Sequence, residues 1–163
     1  MARIGVTGHR DIPVAALDDV HAGIRTQLRE GTRAGGRAAA FSCLAAGADQ
    51  LFAELAMDCG VPVTAVIPGA ANYAEQLDGV AARVAYQRLL KSCAERVELP
   101  VADTDEAAYL AAGQWIVDHV DRLVAVWDGG PARGIGGTAD IVDYARRAGV
   151  PVAVVWSPGV RRR

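Results

Sequence analysis

Six short runs of apolar, strand-forming residues alternate with helix-patterned stretches along this chain, and that alternation limits the fold more than any other feature. The runs cover residues 3–6, 38–44, 61–67, 96–99, 123–127 and 152–156. Between the first two, Val14, Leu17, Val20, Ile24 and Leu28 recur at steps of three or four, the spacing of one buried helix face. Pro13 suits the first turn of that helix, and Gly35-Gly36 marks its expected end. A second helix opens at Gly47-Ala48-Asp49 and buries Leu51, Phe52, Leu55 and Ala56. A third spans 79–93. A fourth is capped by Thr104 or Asp105 and carries Tyr109, Ala112, Ile116 and Val120 on one side; a fifth begins at Thr138 and carries Ile141, Val142 and Ala145.

Strands that are apolar throughout, joined by helical crossovers, predict a parallel sheet covered on both faces. The expected architecture is α/β: a three-layer, Rossmann-like, doubly wound and mostly parallel sheet of about six strands. Reversal of winding after the fourth strand places the fifth beside the first, in the order 4-3-2-1-5-6. Ligands of such sheets bind beyond the C-terminal strand ends, where the winding reverses. The expected division is a single domain over 1–157 and a basic tail over 158–163, whose Arg161-Arg162-Arg163 run reads as solvated chain rather than a binding patch.

Bulk properties narrow the function classes. Of the 163 residues 52% are hydrophobic, yet no apolar run reaches the ~18–20 residues that a spanning helix needs. The first strand begins with no export leader before it, so a cytoplasmic location is expected. A formal net charge of −2 supplies no general attraction to nucleic acid or anionic lipid, so neither is an expected partner. Cys43, Cys59 and Cys93 lack a paired spacing and read as buried or half-buried free thiols, with no metal site.

The chemistry concentrates in three loops that follow strands. Thr7-Gly8-His9-Arg10 ends the first strand: Thr7 and Gly8 offer a hydroxyl and bare backbone, and Arg10 a planar fork suited to phosphate. His9 can donate to an anion or exchange a proton near neutral pH. In Gly47-Ala48-Asp49, Asp49 sits where the helix dipole favours an acid and can face a ribose hydroxyl or steady Arg10. Asp128-Gly129 ends the fifth strand, and Gly136-Gly137-Thr138 opens the fifth helix as an anion cradle. Asp49, Asp128 and Asp140 around one anion would also suit Mg²⁺, although their spacing does not require it.

Taken in order, Thr7-Gly8-His9-Arg10, Gly47-Ala48-Asp49, Trp127-Asp128-Gly129 and Gly136-Gly137-Thr138 resemble the SLOG superfamily over nearly the whole chain. That Rossmann-like group includes the Lonely Guy phosphoribohydrolases, the YpsA-like proteins and DNA-processing protein A. The resemblance implies a pocket for a nucleotide or nucleotide sugar, such as a nucleoside monophosphate or an ADP-ribose derivative, lined by Gly8, Arg10, Gly47, Asp49, Gly136, Gly137 and Thr138. The Lonely Guy enzymes carry a glutamate three residues after the threonine of Pro-Gly-Gly-x-Gly-Thr. Here that position is Ile141, and Asp140 lies one residue earlier, about 100° around a helix. The expected function is therefore a sensor or processor of a phosphate-bearing ligand. The alternative is a Lonely Guy-like phosphoribohydrolase in which Asp140 or Asp128 activates water. A further alternative is an interaction module with a vestigial pocket, forming a homodimer through Trp115, Tyr109 and His119.

Overall fold

The computed structural model describes residues 1–134 and 136–162. Its sheet contains β1 (Ala2–Gly8), β2 (Ala38–Ser42), β3 (Val63–Ile67), β4 (Glu95–Glu98), β5 (Arg122–Val126) and β6 (Val152–Val155). The strand order is β4-β3-β2-β1-β5-β6, and every adjacent pair is parallel. Between the strands run α1 (Val14–Gly31), α2 (Ala48–Asp58), α3 (Gly79–Ser92), α4 (Asp105–His119) and α5 (Thr138–Arg147). The expected topology is the observed one. Short 3₁₀ turns at Arg33–Gly35 and Tyr73–Gln76 complete the connections.

Two apolar cores sandwich the sheet. On one face Ile4, Val6, Ala40, Val63, Val124 and Val126 pack against Val20, Ile24 and Leu28 of α1 and Phe52, Ala53 and Ala56 of α2. On the other, Phe41, Val66 and Leu123 meet Ala112, Ile116 and Val117 of α4 and Ile141 and Ala145 of α5. The strands alternate between these cores residue by residue, as a sheet covered on both sides requires.

Helix limits follow local chemistry. Thr104 caps α4 by accepting from the Ala107 N–H at 3.0 Å. α1 stops at Gly31, before the expected Gly35-Gly36 pair, because the Thr32 N–H and hydroxyl close on the Arg29 carbonyl and leave a separate 3₁₀ turn. Its inner face starts at Ala16; Val14 is 77% exposed. Cys43 and Cys93 are half-buried as expected, whereas Cys59, just past α2, is exposed.

The segment after β6 is ordered onto the domain. Trp156 donates through Nε1 to the Val160 carbonyl at 2.6 Å, and the Ser157 hydroxyl donates to Asp19 at 2.6 Å. Arg162 folds over the loops that follow β1 and β5, so this part of the basic run is not solvated chain. Arg163 lies outside the described residues.

Close approach of α4 to β1 depends on Gly5, where a Cβ would stand 2.3 Å from Cγ2 of Ile116 and 3.3 Å from Cγ1 of Val120. Both neighbours are β-branched and stiff, so neither can turn aside cheaply. Gly5→Ala is expected to cost about 1–3 kcal/mol of stability in urea denaturation. Adding Ile116→Ala should make the pair destabilise by less than the sum of the two single changes; full additivity would show that this contact does not set the helix–strand distance.

Candidate functional site

Residues 7–10 leave β1 directly opposite the end of β5, with Gly8 in register with Val126. The winding reverses here, and the structure opens a cavity of about 470 Å³ beside it, within the range of small-molecule sites. Thr7, Gly8, His9 and Arg10 line it from the end of β1 and the loop after it, Cys43 from the β2–α2 connection and Asp49 from the first turn of α2. Tyr73 enters beyond β3, Glu106 and Tyr109 come from α4, and Gly136, Gly137, Thr138 and Ile141 from the start of α5. Arg133 and Arg162 contribute two more guanidinium groups. The three loops read from the sequence do converge, although not through every residue expected of them.

Gly47 and Ala48 do not line the cavity. Gly47 has φ 80°, and a Cβ there would strike the backbone oxygens of Arg10 and His9 at 2.4 and 2.5 Å. The Ala48 N–H donates to the His9 carbonyl at 3.0 Å. Ala48 is fully buried, and a Cβ on Gly8 would meet its Cβ at 2.4 Å. These glycines dock the start of α2 against the loop after β1, and the small residues there serve that contact.

Asp128 and Asp140 are also turned away. The Asp128 carboxylate accepts from the Gly130 N–H at 2.9 Å and the Arg162 N–H at 3.3 Å, and its Oδ1 lies 3.2 Å from Nε2 of His9. Burial works against its charge, but these N–H groups and the imidazole outweigh that and hold the carboxyl below the usual range. Gly129 turns the chain here at φ 87°. Asp140 accepts from the Gly136 N–H at 3.0 Å, tying down the glycine-rich loop. Neither carboxylate lines the cavity, and among the described residues no three His, Cys, Asp or Glu side chains cluster around a possible metal position. Ile135, within the glycine-rich run, lies outside the described residues.

His9 is 3% exposed and forms the joint between the loops. Its Nδ1 lies 2.8 Å from Nη1 of Arg162. A guanidinium can only donate, so Nδ1 accepts from Arg162, while Nε2 faces both the backbone N–H of Asp128 at 3.1 Å and its carboxylate at 3.2 Å. Trp156 meets the ring edge-on, with centroids 5.3 Å apart. Burial and then the Arg162 charge lower the His9 pKa, against the pull of Asp128, so the imidazole is neutral at pH 7.

Arg10 behaves differently. Its guanidinium lies over the Tyr109 ring, 5.3 Å from the centroid, and the residue is exposed on the cavity side. It forms no ion pair among the described residues and shares a side-chain hydrogen bond with Tyr109. The Tyr109 hydroxyl donates to Gln76, and the Tyr73 hydroxyl donates to the Cys43 carbonyl at 2.9 Å, which fixes both rings as walls. Thr138 is 7% exposed, and its hydroxyl has no hydrogen-bond partner among the described residues.

Asp49 is the cavity's buried acid, 9% exposed. Burial raises its pKa to about 7, against the Ala45 N–H and the Arg10 charge. The same burial, with Asp49 beside it, pushes the Cys43 thiol well up, so Cys43 is a neutral wall residue. The sequence reading missed Glu106, Tyr109 and Arg162 as lining residues. Tyr109 had been read as core or dimer face; instead it faces the cavity, while Trp115 packs on Phe41 and stacks on His119 at 3.7 Å.

With that geometry in hand, the resemblance to solved structures is extensive. DNA processing protein A from Helicobacter pylori, whose structure describes single-stranded DNA binding, matches at a TM-score of 0.65 and 15% identity over 94% of this chain. The Streptococcus pneumoniae protein matches at 0.66 and 16% over 94%. These likenesses show a shared fold, the parallel, doubly wound α/β sheet. The chain spans 64% and 50% of those two proteins. The molybdenum cofactor carrier protein from Chlamydomonas reinhardtii matches at 0.51 and 18%, with 94% of this chain and 75% of that one covered. No protein-family model and no curated protein matches the sequence. One protein of this fold binds single-stranded DNA, so a net charge of −2 does not exclude a nucleic-acid partner. No helix among the described residues is long and apolar enough to cross a membrane.

The position of Asp49 sets a pH test. Its folded pKa, about 7, lies above the ordinary carboxyl value of 3.8, so between those values the folded state holds the extra proton. Stability contributed by that proton is complete below about pH 4 and is lost as pH rises through 7. Asp49→Asn should therefore stabilise the protein by about 2–4 kcal/mol at pH 8 and by little at pH 4, at 1.36 kcal/mol per pKa unit. Chemical denaturation at the two pH values measures the difference; an equal effect at both would refute the assignment.

Proposed function

We propose that the cavity binds a nucleotide-like ligand through its phosphate, as a sensor or processor of a nucleoside monophosphate or related nucleotide sugar. The observation that carries this reading is the presence in one cavity of a guanidinium with no carboxylate partner and a hydroxyl at a helix start. The Arg10 guanidinium has no ion-pair partner, and the unpartnered Thr138 hydroxyl sits at the glycine-rich N-terminus of α5. A helix start favours negative charge, and a phosphate there can accept from the Thr138 hydroxyl while Arg10 supplies a charge-assisted bond. Tyr73 and Tyr109 give the same cavity flat apolar surface for a base.

Asp49 favours a second reading, hydrolysis of the nucleotide N-glycosidic bond. Its carboxyl titrates near 7 inside the cavity, where a general acid or base is most effective. In this reading Asp49 takes the part that Asp128 and Asp140, engaged in their own loops, do not. Single-stranded DNA, the ligand of the Helicobacter protein, presents the same phosphate chemistry and belongs in the same comparison.

Calorimetric titration with AMP, ADP-ribose and a 5′-phosphorylated single-stranded oligonucleotide, with chromatography of the products, separates these readings. Binding of AMP without release of adenine supports the sensor, and adenine with ribose 5-phosphate supports the hydrolase. Arg10→Ala should weaken AMP binding about 10- to 100-fold, the range of a lost hydrogen bond to a charged group. If AMP, ADP-ribose and the oligonucleotide all bind Arg10→Ala as well as they bind the unaltered protein, the phosphate reading is wrong.

A further inference from the structure

Arg162 lines the cavity and is 14% exposed, yet none of its contacts is a paired carboxylate fork. Nη1 meets the neutral imidazole of His9 at 2.8 Å, Nη2 donates to the Pro131 carbonyl at 2.8 Å, and Nε reaches the Asp128 carboxylate only at 4.0 Å. Two of its acceptors are thus uncharged, and the one carboxylate within reach is shared with His9, the Gly130 N–H and the Arg162 N–H. A phosphate entering the cavity offers this guanidinium a bidentate, charge-assisted acceptor, a much stronger partner than an imidazole nitrogen or a carbonyl.

We propose that Arg162 is a latch: without ligand it holds the segment after β6 across the β1–β5 crevice, and an anion in the cavity draws its guanidinium off His9 and Pro131. The inference rests on the reading that the cavity takes a phosphate. It adds a consequence at a second residue. While Arg162 donates to Nδ1 of His9, that nitrogen cannot carry a proton; once the guanidinium turns to the anion, Nδ1 is free to take one. The groups facing His9 are Asp128 after β5, with its carboxylate 3.2 Å and its backbone N–H 3.1 Å from Nε2, Arg162 after β6, the Arg133 charge on the glycine-rich loop and the Trp156 ring. Moving Arg162 to a phosphate leaves Asp128 as the charge nearest the ring, which favours imidazolium. Anion binding is therefore coupled to proton uptake at His9, with Arg162 as the positioning residue that transmits it.

Nuclear magnetic resonance of the ¹⁵N-labelled chain, titrated with inorganic phosphate at several pH values, tests this. The Thr138 amide reports occupancy, and the His9 ring nitrogens report its protonation. In the unaltered protein, phosphate should move the Thr138 amide and raise the His9 pKa. In Arg162→Ala the His9 pKa should be raised before any phosphate is added and should respond little to it, while Thr138 still shifts with affinity reduced about tenfold. Arg162→Met, which keeps an unbranched stem but no charge and no donor, guards against a general disturbance by the alanine and should behave like it. If Thr138 shifts but His9 responds equally with and without Arg162, or not at all in the unaltered protein, the latch is wrong and the phosphate site stands. If phosphate moves neither Thr138 nor His9, the phosphate reading itself fails and takes the latch with it.

Discussion

The bare inner edge of β1 governs how closely everything else at this site can approach. At Gly5, the missing side chain admits Ile116 and seats α4 on the sheet. At Gly8, it admits Ala48 from one side and Val126 from the other, drawing α2 and β5 toward the strand end. Gly47 continues the arrangement, with its Cβ position filled by the backbone oxygens of His9 and Arg10. A side chain at any of these points would push a helix or loop outward by a bond length or more. The cavity's walls come from elements distant in sequence, so their spacing is the sum of these contacts. Close packing transmits such shifts instead of absorbing them.

Within that frame the charges divide into two sets with opposite behaviour. His9, Asp128 and Arg162 satisfy one another and tie together the segments after β1, β5 and β6. Asp128 is held ionised and His9 neutral, so this set enters neutral pH with its charges fixed. Arg10 and Asp49 face the cavity with far fewer partners, and burial leaves Asp49 to titrate near neutrality. The structural set is the more completely hydrogen-bonded, as buried polar groups must be to avoid a desolvation cost. The set left incomplete is the one positioned to meet a ligand.

The fold was legible because it rests on periodicity. Apolar runs such as Val63–Ile67 are buried on both faces, and the order of strands follows from right-handed crossovers with one reversal. The meeting of three loops was legible for the same reason, since strand order fixes which strand ends are neighbours. Individual side-chain directions were not. Asp128 stands at the right strand end, but whether its carboxylate turns into the cavity or back into its loop depends on the Gly130 turn and on Arg162, 34 residues away. Arg162 sat in a run of arginines that looks the same on paper whether solvated or folded back. Tyr109 shares a helix stripe with Ala112 and Ile116, and only the approach of Arg10 and Gln76 from other segments distinguishes a cavity wall from core.

Ile141 shows how one substitution redistributes chemistry. It occupies the place where the Lonely Guy pattern has its glutamate, and it is 2% exposed in the core between α4 and α5. A Cβ on Gly113 would stand 2.4 Å from its Cδ1, so the two residues are matched: the glycine on α4 makes room for a branched apolar side chain on α5. A carboxylate in that seat would be stripped of water with the same apolar neighbours around it, at a cost that only a partner could offset. With Ile141 there, the α5 wall below Thr138 is apolar, and the buried acid of the cavity stands across from it on α2 as Asp49. The titratable acid of the cavity thus stands on α2, and the start of α5 contributes a hydroxyl and apolar surface.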